Sequence, residues 1–191
     1  MRRTCKLVSL FASTLTEWEI RIIIMVSNDT LTGGVHLTSE YKRIERKDEV
    51  NAYLQNLKYA IINKADLVFQ ARRYVDEHRQ LKFTNQYIIQ MLFPDENPVD
   101  VLKRELTTLS VENYICTVKD LRFPQKSEMR EFGKVYHGKE DVYIKLRVEL
   151  FGFDGAPSVF VMSFHFAETS FKADMFPYRT TEKEKNNEGN R

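Results

Sequence analysis

The sequence has only two cysteines, Cys5 and Cys116, among its 191 residues, too few for a disulfide framework or a structural zinc site. That excludes a secreted, disulfide-dense minidomain and suits a reducing compartment, by default the cytoplasm. Seven glycines and five prolines exclude collagen-like and low-complexity chains. No uninterrupted apolar run reaches the roughly 18 residues that a membrane-spanning helix needs, so no membrane partner is expected. Neither sign of charge dominates, with 29 Lys and Arg against 27 Asp and Glu, a balance that permits a polyanionic partner without requiring one. Phosphate-loop, dinucleotide and nucleophile-elbow patterns are missing too, and no cofactor or metal is expected. What remains is a folding composition, 42% hydrophobic and 29% charged, with 13 Phe and 9 Tyr to fill a core.

Three regions separate by pattern. Residues 1–37 form an N-terminal extension. Arg2, Arg3 and Lys6 precede the apolar patch Leu7 to Ala12 in the manner of a signal peptide, but Thr14, Thr16, Glu17 and Glu19 break the run and no small-residue cleavage site follows. Two readings of this extension stand, upstream sequence ahead of a start at Met25 or an amphipathic helix docked on the domain. Residues 38–178 read as one domain, and the polar tail 179–191 is expected to be disordered.

Within the domain, Val50, Tyr53, Leu54, Leu57, Ile61 and Ile62 have helical spacing over 48–63. Leu67-Val68-Phe69 is short enough for a strand. Thr84 suits a helix N-cap ahead of Tyr87, Ile88, Met91 and Leu92, and Asn97-Pro98 opens a third stripe of Val99, Leu102, Leu106 and Leu109. After Ser110 the period falls to two, with strands expected at about 112–119, 129–137, 141–150 and 158–167. These elements predict an α+β fold, N-terminal helices packed on one face of an antiparallel sheet of about four strands.

The last two strands carry the chemistry. Val142, Ile144, Leu146, Val148 and Leu150 alternate with Tyr143, Lys145, Arg147 and Glu149, while Phe160, Met162, Phe164 and Phe166 alternate with Val159, Val161, Ser163 and His165. If both even sets face the core, odd residues pair with odd ones, Tyr143 opposite His165 and Lys145 opposite Ser163, for a connection centred near Asp154. Directly opposed Cβ atoms lie about 4.5–5.5 Å apart. A Tyr, His and Lys cluster of this kind suits metal-free phosphodiester chemistry. The ammonium neutralises charge growing on the phosphoryl oxygens, and the imidazole moves a proton. The same residues also suit a solvated strand face with no chemistry. Between Lys119 and Arg147 eight basic residues meet five acidic ones, with Phe123, Phe132 and Tyr136 interleaved; such aromatics either stack on unpaired bases or fill the core. Cys116 reads as a small buried residue and His137, beside Gly138, as a solvated turn residue.

The strings Glu128-Met-Arg-Glu-Phe-Gly-Lys, Asp141-Val-Tyr-Ile-Lys-Leu and Val161-Met-Ser-Phe-His-Phe-Ala-Glu, in that order, resemble the C-terminal half of bacterial toxins related to the motility quorum-sensing regulator MqsR, within the broader RelE-like group. The resemblance spans about residues 110–178, and Arg72 and Arg73 ahead of the Thr84 helix are compatible with it. It implies a RelE-like fold and a metal-independent endoribonuclease of a toxin–antitoxin pair, cutting mRNA by internal 2′-hydroxyl attack and held by a cognate antitoxin. By that resemblance Tyr143 matches a catalytic tyrosine. His165 stands where the founding toxins carry a lysine and Glu131 where they carry a glutamine, the latter a base or a solvated charge. Lys145 joins the catalytic set, and Lys119, Arg122, Lys134 and Arg147 are the expected RNA-binding cations, Lys119 near the place of a further functional lysine. The alternative is a non-catalytic RNA- or protein-binding module of the same fold.

Overall fold

Apolar side chains recurring every three or four residues give the first helix its buried stripe, and the computed structural model, which describes residues 40–150 and 155–180, places α1 at Lys47–Ile62. Val50, Tyr53, Leu54, Leu57 and Ala60 form its buried face. Its first turn is tied by Glu49, whose carboxylate accepts the Arg46 backbone N–H at 2.8 Å, an anion where the helix dipole favours one. A short strand, β1 (Glu40–Arg43), precedes it and another, β2 (Asp66–Phe69), follows. Two 3-10 turns, Tyr74–His78 and Leu81–Phe83, lead into α2 (Asn85–Leu92). Thr84 caps α2 by accepting the Tyr87 N–H, and Asn97 caps α3 (Pro98–Thr107) by accepting those of Val99 and Asp100. Four longer strands complete the chain: β3 (Tyr114–Asp120), β4 (Met129–Tyr136), β5 (Glu140–Glu149) and β6 (Ser158–Phe166).

The α+β class stands, but the expected antiparallel sheet of about four strands is corrected to a six-stranded mixed sheet in the order β1-β3-β4-β5-β6-β2. β1 adds antiparallel to β3 at one edge, and β2 adds parallel to β6 at the other. Both additions come from four-residue segments in the supposedly helical half. β1 reads Glu-Tyr-Lys-Arg and has no alternation to betray it, since an edge strand so short takes its stability from the neighbour it pairs with. The expected extension 1–37, the tail from residue 181 and Asp154 lie outside the described residues. All described residues belong to one unit, Gly33–Arg191.

The helices cover one face. Leu57, Ile88, Leu102 and Leu106 are buried against Phe132, Ile144, Leu146 and Phe164. Tyr53 stacks on Phe132 at 6.4 Å and donates its hydroxyl to the Leu146 carbonyl at 3.3 Å. Phe132 and Tyr136 are thereby core residues, with no face left for an RNA base.

The parity expected for the last strand holds only in its second half. Tyr143 pairs with His165 and Lys145 with Ser163 as expected, but Leu146 pairs with Val161, so Met162 is an extra residue and the strand is bulged. A bulge reverses which face the residues on its far side occupy. Val159 and Val161 are therefore wholly buried beside Val148 and Leu146. Phe160, expected in the core, turns to the other face and lies under the Arg147 guanidinium at 4.9 Å.

Candidate functional site

Alternation puts Tyr143, Lys145 and Arg147 of β5 on the face away from the helices. Glu131 of β4 lies beside them opposite Lys145, Cys116 of β3 is opposite Glu131, and Ser163 and His165 of β6 close the other side. Four expected catalytic residues, Glu131, Tyr143, Lys145 and His165, thus come together from three strands. The face is not a solvated one. The connection 70–83 crosses it by His165, and residues 171–176 cross it by Gly133, where a Cβ would stand 2.7 Å from the Phe171 and Phe176 rings. Glu131, Lys145, Ser163 and His165 are consequently buried.

Burial dictates pairing, because a lone buried charge is costly. Glu131 lies 3.2 Å from the Lys145 ammonium and 3.4 Å from that of Lys42. Lys145 is shared in turn with Glu40 at 3.2 Å. Burial acts to raise the Glu131 pKa, but the Lys42 and Lys145 charges prevail and hold it below its ordinary value. The carboxylate stays charged. It also accepts the Cys116 thiol at 3.3 Å. Burial first, and then the Glu131 charge, push that thiol up to about 12, so Cys116 is no thiolate nucleophile.

The two rings at the centre are driven in opposite directions. Tyr143 and His165 have centroids 5.4 Å apart. Burial, followed by the neighbouring Glu131 charge, moves the phenol far above its usual 10, and it remains protonated. His165 is pulled below 6.5, chiefly by burial and further by Arg73 and Arg79, against the raising influence of the Phe166 carbonyl and Glu168. The imidazole is neutral. Nδ1 lies 2.8 Å from the Phe166 carbonyl oxygen, which fixes the proton on Nδ1 and leaves Nε2 as acceptor, 3.5 Å from Arg79 Nη1. The site thus holds a protonated phenol beside a neutral imidazole.

Arg73 and Arg79 were not among the expected site residues. Arg73 donates to the Ser163 hydroxyl at 2.9 Å and to Asp76 at 3.0 Å; Arg79 holds Glu168 at 3.0 Å and reaches Asp76 at 3.9 Å. Residues 70–83 have neither helical nor strand period, so nothing but the Arg72-Arg73 pair marked them. A third unforeseen residue, Asn85, is wholly buried under the bulge. Its amide donates to the Gln70 and Met162 carbonyls at 2.6 and 2.9 Å and accepts the Phe164 N–H at 3.0 Å. This one side chain ties the arginine-bearing connection to β6.

The expected RNA-binding cations divide. Arg147 shares the site face, beside Lys145, with Nε 3.2 Å from Glu149. Arg122 lies in the β3–β4 connection, bound to Asp120 at 2.8 Å. By strand parity Lys134 and Lys119 lie on the face opposite Tyr143 and His165. Lys134 is spent on Glu105 at 2.7 Å and Thr108 at 2.8 Å, and Lys119 donates to the Pro124 and Lys126 carbonyls, stapling the β3–β4 connection. Even positions of β4 face the core, and the bulge at Ile115 of β3 reverses parity before Lys119. Phe123 is exposed between Lys126 at 4.6 Å and Arg122 at 5.8 Å. His137 is an exposed turn residue with φ of 50°. Among the described residues no helix is long and apolar enough to cross a membrane, and no group of three His, Cys, Asp or Glu side chains is placed to hold a metal ion.

Comparison with known proteins gives no match, whether to family models, to curated proteins or to solved structures.

Proposed function

We propose that this chain is a cytoplasmic endoribonuclease acting without a metal, the toxin of a toxin–antitoxin pair, that cuts mRNA by attack of an internal 2′-hydroxyl. The observation that carries the reading is the pairing of a neutral His165 with a protonated Tyr143, 5.4 Å apart, among the ion-paired cations Lys145, Arg73 and Arg79. The resemblance of the three C-terminal strings to MqsR-related toxins supports it.

In this reading His165 Nε2 takes the proton of the 2′-hydroxyl as the O2′–P bond forms. The P–O5′ bond breaks, and the departing 5′-oxygen receives the Tyr143 phenolic proton. The phenolic proton moves as the P–O5′ bond breaks and negative charge grows on the departing oxygen. Lys145 stabilises charge on the phosphoryl oxygens. Glu131 holds Lys145 and faces the phenol, a positioning role that replaces the general-base option. The products are a 2′,3′-cyclic phosphate and a 5′-hydroxyl.

The test is incubation of the purified chain, freed of bound partners, with mixed-sequence RNA in excess EDTA, followed by mapping of the ends. Cyclic phosphate and 5′-hydroxyl ends that disappear in His165→Gln and Tyr143→Phe are expected. RNA left intact both in solution and on translating ribosomes refutes the reading and leaves the RNA- or protein-binding module.

A further inference from the structure

We infer that Arg79, backed by Arg73, seats the backbone phosphate of the RNA, and that this phosphate takes the place of Glu168 on the Arg79 guanidinium. The inference rests on the ribonuclease reading for the identity of the ligand and on the following geometry for its place.

The two guanidiniums differ in freedom. Arg73 is 11% exposed and engaged by Asp76 and Ser163, so it contributes fixed charge. Arg79 is 29% exposed and is held by Glu168, itself 51% exposed. An ion pair so open to water is weak. A phosphate, which accepts two parallel N–H bonds from a guanidinium fork, competes well for it.

Position supplies the second argument. Arg79 Nη1 is 3.5 Å from His165 Nε2, the atom that would take the 2′-hydroxyl proton. Within RNA the attacking 2′-oxygen and the phosphorus it attacks belong to one short chain, O2′–C2′–C3′–O3′–P, and must approach to about 3 Å. A phosphate on the Arg79 fork therefore brings its own 2′-hydroxyl to the imidazole. It also draws the guanidinium off the Nε2 lone pair, which Arg79 caps while Glu168 holds it. The charged and titratable groups facing His165 are Arg73 and Arg79 from the 70–83 connection, Glu168 beyond β6 and Tyr143 of β5.

The experiment uses the full chain with a fluorescent 2′-O-methyl oligonucleotide, which cannot be cut because its 2′-oxygen is blocked, and inorganic phosphate in parallel. Anisotropy at fixed salt gives affinity, and the NMR titration of the imidazole gives the His165 pKa. Arg79→Ala is expected to weaken oligonucleotide binding roughly tenfold or more and to raise the His165 pKa. Glu168→Gln is expected to tighten binding by about two- to fivefold. Thermal unfolding of both variants checks that this exposed pair leaves the fold intact, and Arg79→Lys, keeping charge without the fork, should fall between wild type and Ala. Unchanged binding in Arg79→Ala, or weaker binding in Glu168→Gln, overturns the inference. The two readings fail separately. Binding that depends on Arg79 while natural RNA stays uncut keeps the phosphate seat and removes the nuclease, whereas RNA cut with unaltered KM by Arg79→Ala does the reverse.

Discussion

The two faces of the sheet are made from interleaved residues of the same strands, yet they are closed by different means. On the helical face Val142, Ile144 and Leu146 disappear under α1 and its neighbours. One residue along the chain in each case, Tyr143 and Lys145 share the face on which a connection brings Arg73 to Ser163 and residues 171–176 bring two phenylalanine rings to Gly133. The apolar closure is non-directional and tolerates repacking. The polar closure is a set of directed pairs, each depending on its partner being present. Most of the apolar burial lies on the first face, and the proposed chemistry belongs to the second.

That contrast can be broken by substitution. The largest effect is expected from Leu146→Ala, which opens a cavity in the helical face and should cost about 2–5 kcal/mol in denaturant unfolding, with the midpoint lowered and the surviving folded fraction as active as before. Next comes Glu131→Leu, which deprives Lys145 of one of two carboxylates and should cost about 1–3 kcal/mol. The double variant with Lys145→Met should recover most of that loss; a double variant no more stable than the single one means the pair is not coupled. Gly133→Ala follows, at about 1–3 kcal/mol, because the new methyl meets the Phe171 and Phe176 rings at 2.7 Å. Its mark is faster amide exchange over 171–176, and unchanged exchange there would mean the rings simply tilt.

The smallest and most specific effect is the pH dependence. His165 is neutral in the fold with its pKa below 6.5, so the unfolded chain binds its proton first as pH drops. Stability from this group is complete above about 6.5 and declines as pH falls from there toward the folded value. The carboxylate of Glu131, held below 4.5, adds its own loss only at still lower pH. Wild type and His165→Gln should therefore diverge in a urea titration just below pH 6.5, and coincident curves would contradict the buried neutral imidazole.

Periodicity made most of the helical face legible. The 3.6-residue stripes located α1, α2 and α3, the Thr84 cap was visible, and alternation gave β3 to β6 within a few residues. The pairing of Tyr143 with His165 could be read because that half of β6 has no irregularity. Three things could not be read. β1 is a strand by virtue of what it pairs with, which no local pattern records, and although the apolar run Leu67-Val68-Phe69 of β2 was visible, its parallel place beside β6 was not. The bulges at Ile115 and Met162 are single extra residues, and each reverses parity beyond it, which misassigned Phe160. Arg73 and Arg79 come to the site along an aperiodic connection pinned by Asn85, a contact spanning 77–79 residues of sequence to β6. Lys119 and Lys134 were legible as charge but not as partners of carbonyls and Glu105.

The Met162 bulge makes β6 a strand with two grammars. Before residue 162 an odd position is a core word, and after it an odd position is a site word. A deletion scan through 158–166 should show tolerance that inverts its phase there. Variants of β6 are best chosen in two separate libraries, an apolar one at Val159 and Val161 and a polar one at Ser163 and His165, because no single alternating template describes both halves.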